Sequence, residues 1–235
     1  MSYLSKASAL CFASVFSAAA LCAGSADAAL ITNSLSAPTV DGDDVANLGA
    51  PTGGQSIWSD RPVQGQTFTS PATGGDLVSI TVQLNEGANA PIDGWKDFQL
   101  RVGTIDTGAG TITPLLVTVD RYNPDADNDS YFTFTFDTPI TLAPSTLYGF
   151  DVGVEGSATG WPAGIPQVRT TGNDYAGGQR YSGAKTNQID NTTGLPNTIS
   201  LGNNDLVFHA DIVPEPGSLA LIAIGGLCAL RRRRG

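Results

Sequence analysis

Cysteine is missing from the whole stretch between Ala29 and Ile212; the three in the chain, Cys11, Cys22 and Cys228, lie near its ends. That excludes a disulfide framework, a thiol nucleophile and Cys-ligated zinc from the body of the protein. Histidine is nearly as scarce. His209 is the single one, so a Ser-His-Asp arrangement would have to use it, and no Gly-x-Ser-x-Gly turn accompanies it. Glutamate occurs in the body only as Glu86 and Glu155, each beside a glycine, which leaves aspartates to supply most of any two-carboxylate glycosidase pair. Positive charge is also sparse. Lys6 and Arg231 to Arg234 take five of the 12 basic residues, leaving seven; Asp27 and Glu215 take two of the 22 acidic ones, leaving 20. The body therefore carries about −13, which argues against nucleic acid or anionic lipid as its partner.

Helical periodicity is absent between Leu30 and Ile212, and short alternating runs take its place. Val78, Ile80, Val82 and Leu84 alternate with Ser79, Thr81 and Gln83. Phe98, Leu100 and Val102 alternate with Gln99 and Arg101. Phe132, Phe134 and Phe136 alternate with Thr133 and Thr135, the cleanest run in the chain. Tyr148, Phe150, Val152 and Val154 form a fourth run, and Leu206, Phe208, Ala210 and Ile212 a fifth. A sixth, Ile112 to Tyr122, carries Pro114 near its start, where an edge strand tolerates it. Weaker candidates surround Ile31, Trp58, Phe68, Val168 and Ile199. Together they predict roughly nine to eleven antiparallel strands with one apolar and one polar face, an all-β sandwich of jelly-roll type. The Gly-, Asn- and Thr-rich stretch from Gly156 to Asn197 reads as long loops at one end.

The ends read as targeting segments. Residues 1–28 have Lys6 in a short n-region, an apolar stretch from Ala7 to Leu21, and the small-x-small site Ala26-Asp27-Ala28. A signal peptide cut by signal peptidase after Ala28 is expected, with a cut after Ala29 fitting nearly as well. Leu21 stands where a lipoprotein would need a small residue before Cys22. Residues 213–235 contain Pro214-Glu215-Pro216, an uncharged apolar run from Ser218 to Leu230, and Arg231, Arg232, Arg233 and Arg234. The prolines hold Glu215 extended, as a protease substrate requires. Thirteen residues make a helix of roughly 20 Å, against a hydrocarbon core of about 30 Å. Such a single hydrophobic helix anchors in the inner membrane with its arginines cytoplasmic, leaving residues 29–212 outside.

This three-part order resembles the PEP-CTERM sorting signal of Gram-negative bacteria, on Pro214, Glu215, Pro216, the apolar run and Arg231 to Arg234. The resemblance implies an exosortase as partner, a membrane cysteine protease that cuts near Pro-Glu-Pro and passes the protein to the envelope or outside. The body is similar to unassigned β-rich ectodomains joined to such tails. The matching phrases are Gly65-Gln66-Thr67-Phe68, Thr133 to Pro144, Tyr148 to Val152, and Tyr175-Ala176-Gly177-Gly178.

Three groups of residues in the body point to chemistry. Asp125, Asp127 and Asp129 alternate on a short loop and supply the hard oxygens Ca²⁺ prefers. As an EF-hand the loop fails, with Ser130 at its sixth position and Phe136 at its twelfth. The plain alternative is an acidic hairpin turn between the Val117 and Phe132 strands; Asp41, Asp43 and Asp44 form a second acidic cluster. Aromatic residues near turns (Trp58, Trp95, Trp161, Tyr175 and Tyr181), with Arg180 beside them, form a candidate surface for an extracellular polysaccharide. The alternative is that they cap the ends of the core. His209 is expected to face solvent from mid-strand, with Asp211 on its side. The expectation is an exported, non-enzymatic envelope or matrix protein. A calcium-assisted polysaccharide-binding module stands second and a secreted glycan-active enzyme third.

Overall fold

The computed structural model describes residues 29–57, 62–85, 96–122, 129–155, 166–185 and 198–214. Every strand and turn below belongs to those residues. Thirteen strands follow in chain order: β1 (Ala29–Ser34), β2 (Val45–Asn47), β3 (Gly53–Ser56), β4 (Pro62–Thr69), β5 (Gly75–Asn85), β6 (Lys96–Asp106), β7 (Thr111–Tyr122), β8 (Ser130–Leu142), β9 (Leu147–Glu155), β10 (Gln167–Thr170), β11 (Arg180–Lys185), β12 (Ser200–Leu201) and β13 (Phe208–Val213).

They form two antiparallel sheets. In the first, β1, β8 and β5 run side by side; β13 and β10 share the far edge of β5, β13 carrying β2 and β10 carrying β3. The second has the order β12-β11-β4-β9-β6-β7. Alternation decides which face meets the other sheet. Phe132 and Phe134 of β8, Ile80 and Val82 of β5, and Phe208 of β13 point inward from the first sheet. Phe98 and Leu100 of β6 and Phe150 and Val152 of β9 point inward from the second. Their rings meet across the gap, Phe98 on Phe132 at 5.8 Å and Phe150 on Phe208 at 5.5 Å. Removing one such side chain from water contributes about 1.5–3 kcal/mol, so this interface outweighs any single polar contact below.

Local chemistry sets the connections. The β6–β7 hairpin closes over Asp106, whose Oδ1 accepts the N–H groups of Gly108 and Ala109, and Gly110 takes φ 63°. Pro114 falls where the register of β6 and β7 shifts, opposite Gly103. A proline has no N–H for the ladder, and a bulge on an edge strand removes the need for one. A side chain at Gly103 would collide with the Thr113 carbonyl.

Two expectations are corrected here. The Val117 and Phe132 strands do not pair as a hairpin: β7 pairs with β6 in the second sheet and β8 with β1 and β5 in the first. The stretch from Gly156 to Asn197 is not loop throughout, because it contains β10 and β11. These strands are short, with too few alternations to stand out, and β10 falls on the weak candidate at Val168. β2 and β3 are shorter still and show no alternation.

The interior changes character toward β4 and β11. Gln66 and Gln64 pair with Phe150 and Val152 and so share their inward face, yet they are buried amides. Gln66 Nε2 donates to Asp205 Oδ1 at 3.0 Å, and its Oε1 accepts the Leu206 N–H at 2.9 Å. The other oxygen of Asp205 accepts the Tyr175 N–H at 2.9 Å. Buried polar atoms are tolerated here because each finds a partner.

Candidate functional site

Among the predicted calcium ligands, Asp125 and Asp127 lie outside the described residues. Asp129 begins the approach to β8 with φ 63°. Its Oδ1 sits 2.8 Å from Arg169 Nε and accepts from Asn85 Nδ2 at 3.1 Å. A cation there would compete with a guanidinium already in place. No group of three or more His, Cys, Asp or Glu side chains placed to hold a metal occurs among the described residues.

The predicted sugar surface divides. Trp161 lies outside the described residues, as do Trp58 and Trp95. Tyr181 is no exposed platform: it sits within β11 at 0% exposure, its ring lying over Gly65, where any Cβ would collide with it. Tyr175 is half-buried and packs edge-on against Phe208 at 5.2 Å, capping the core. Burial pushes its hydroxyl up to about 12, Asp205 adds to the rise, and a hydrogen bond from the Thr69 backbone opposes it. Arg180 is half-buried beside neutral groups. It donates through Nε to Asn204 Oδ1 and through Nη1 to Gln64 Oε1 at 2.6 Å and Ser182 Oγ at 3.3 Å. Burial lowers its pKa, and no carboxylate among the described residues forms an ion pair with it.

His209 also differs from expectation. It turns away from the core beside Thr81, but it is buried at 4% exposure rather than solvent-facing. The turn before β2 supplies the cover. Asp44 Oδ2 lies 2.9 Å from His209 Nε2 and accepts the Asp41 N–H at 2.7 Å; Oδ1 accepts the Ile212 N–H at 3.1 Å. Burial alone would raise the Asp44 carboxyl, but the Asp41 N–H, His209 and the Ile212 N–H together hold it below its ordinary value. Asp211 is pushed up by burial first and then by the neighbouring Asp44. The Asp44 carboxylate thus fastens the turn to β13.

Sequence reasoning missed the most buried charges. Arg101 and Asp151 face each other in the register of β6 and β9, on the face of the second sheet turned away from the core. Their side chains are 0% and 1% exposed. Arg101 Nη2 donates to Asp151 Oδ2 at 2.6 Å, Nε lies 3.1–3.2 Å from both carboxylate oxygens, and Tyr181 Oη donates to Oδ2 at 3.1 Å. Burial lowers and Asp151 raises the Arg101 pKa, and the carboxylate prevails. Tyr181 is held well above its ordinary value by burial and by Asp151. The signal was present as one charge in the polar slots of each of two neighbouring runs. Only the strand order shows that those slots meet.

The tail leaves from the first sheet. Val213, the last residue of β13, pairs with Asp76 of β5, and Pro214 follows as the last described residue. Among the described residues no helix is long and apolar enough to cross a membrane; the apolar run from Ser218 lies outside them.

Comparison with protein families matches residues 213–234 to the PEP-CTERM protein-sorting motif. A search of curated proteins finds no match for the chain. The chain thus carries a PEP-CTERM tail, which indicates export, C-terminal attachment in the envelope, and an exosortase as processing partner. The match covers none of residues 1–212, so the β-rich body has no activity assigned through it.

Proposed function

We propose that this chain is a non-enzymatic structural protein of the bacterial envelope or extracellular matrix, exported by a signal peptide spanning residues 1–28. A helix from Ser218 to Leu230 holds it in the inner membrane until an exosortase cuts near Pro214-Glu215-Pro216. The observation that carries this reading is the sorting motif at 213–234, which starts on the last residue of β13. A cut there would free the body with both sheets whole. Supporting the absence of catalysis, the single histidine is engaged with Asp44, and the fully buried Arg101–Asp151 pair has no face open to a substrate.

The body reads as a jelly roll. In support, eight of its strands, β2, β4, β5, β6, β7, β8, β9 and β13, distribute as β2-β13-β5-β8 over β4-β9-β6-β7. In rank these are first-eighth-third-sixth over second-seventh-fourth-fifth, the arrangement two interlocked Greek keys produce.

The test of sorting is cell fractionation. Replacing Glu215 with Ala should leave the protein in the inner membrane of an exosortase-bearing host; release equal to wild type contradicts the proposal. Arg180 favours a second reading, a polysaccharide-binding module assisted by calcium at Asp125, Asp127 and Asp129. A half-buried cation with neutral neighbours is suited to a polar ligand. The purified exported chain on a polysaccharide array, with Ca²⁺ and then with EDTA, separates the readings. Binding lost in EDTA supports the metal-assisted module, binding indifferent to EDTA supports sugar without metal, and no binding favours the structural role.

A further inference from the structure

We infer that Asp120 is the seat of the mature amino terminus. β1 begins at Ala29, the residue that a signal peptidase cut after Ala28 would expose. The Ala29 nitrogen donates to Asp120 Oδ2 at 2.8 Å, and Thr118 Oγ1 donates to the same oxygen at 2.8 Å. Ala29 is 4% exposed and belongs to the core, opposite Phe136 of β8. The contact spans 91 positions and joins β1, an edge of the first sheet, to β7, an edge of the second.

Hydrolysis of the Ala28–Ala29 amide adds hydroxyl to the Ala28 carbonyl carbon and hydrogen to the Ala29 nitrogen. Ala28 leaves as a carboxylate, and the new amine takes a proton near neutral pH. A neutral amide donor to Asp120 thereby becomes an ammonium against a carboxylate, and the hydrogen bond becomes charge-assisted. The body has 20 acidic residues against seven basic ones, so processing supplies a cation where acids are in excess. Cleavage therefore strengthens the link between the two sheets at their β1–β7 edges, coupling maturation to stability. This rests on the signal-peptide reading of residues 1–28.

The experiment uses the full chain, exported and purified in detergent. Terminal sequencing comes first and should begin at Ala29; a start elsewhere, or retention of Met1, overturns the signal-peptide reading and this inference with it. Wild type is then compared with a chain carrying Gly-Ser inserted between Ala28 and Ala29, each with and without Asp120→Asn. An ion-paired α-amine has its pKa raised by about one unit or more, so amine labelling near neutral pH should be about tenfold slower in wild type than in the insertion chain. Asp120→Asn should lower Tm by about 4 °C more in the wild-type background than in the insertion background. A start at Ala29 combined with equal labelling, or with the same Asp120→Asn shift in both backgrounds, leaves the signal peptide standing and overturns the capture. The labelling comparison needs no substitution at Asp120, so it decides the matter even if that variant fails to fold.

Discussion

Each sheet carries an acid–base pair on the face turned away from the core, and the two pairs are built differently. In the second sheet Arg101 and Asp151 sit on neighbouring strands, directly opposite in register, with three donors from Arg101 and Tyr181 converging on the carboxylate. In the first, His209 is met from outside its strand by Asp44, on a turn that also takes the Asp41 and Ile212 N–H groups. The first arrangement is intrinsic to the sheet; the second depends on a loop closing down. Loss of one partner should therefore strand a buried ion in the second sheet but only loosen a clasp in the first.

Arg101→Met should show the largest effect. It leaves Asp151 buried without its cation, at a cost of about 3–5 kcal/mol. Replacing both, Arg101→Met with Asp151→Leu, should recover most of the loss in urea unfolding, since a buried pair and an apolar substitute are often of similar stability. A small effect of the single change would place the pair in water and erase the contrast.

Asp44→Ala comes next, at about 1.5–3 kcal/mol at neutral pH, because three hydrogen bonds to a carboxylate disappear together. Its pKa is lower in the folded chain than the usual 3.8, so its contribution is present above that value. It is lost as pH falls below 3.8 toward the folded-state pKa. Urea unfolding of both proteins should converge as the solution is acidified through that window. A gap constant with pH would mean that Asp44 acts through packing alone.

Tyr181→Phe removes one donor from Asp151 and should cost about 0.5–1.5 kcal/mol by thermal unfolding, with no change in sugar binding. Asp211→Asn is the smallest and opposite in sign. Burial and Asp44 raise the Asp211 carboxyl, so its ionised form opposes folding above its ordinary titration range. The amide should stabilise by a few tenths of a kcal/mol at neutral pH, discounted because the side chain is partly solvated. Destabilisation would show that Asp211 supports His209.

The strands were legible wherever alternation ran long enough. The Phe132-Phe134-Phe136 run became the inward face of β8, and Pro114 fell on an edge strand at a bulge. β10 was legible only as the weak candidate at Val168, and β2, β3 and β11 were not legible, because short strands draw their pairing from neighbours rather than from their own pattern. The polar faces were legible as polar, but not as buried. Nothing local to Arg101 announces Asp151 fifty positions on, and nothing local to His209 announces a turn that begins near Asp41. The aromatics illustrate the same limit. Tyr181 lay near Gly178 and Gly183 in sequence, but the glycines that leave space for its ring are Gly65 and Gly149, on β4 and β9. The tail was the most legible part, since its three components act in sequence order and need no fold to be read.

The most direct test of the sorting account is the intact mass of the chain recovered outside the inner membrane, from hosts with and without an exosortase. With the enzyme, the released form should have lost Arg231 to Arg234 and the apolar run while retaining β13 through Val213. Without it, the chain should stay membrane-bound with Gly235 in place. Release of a form still ending at Gly235, or identical masses in both hosts, would contradict the account.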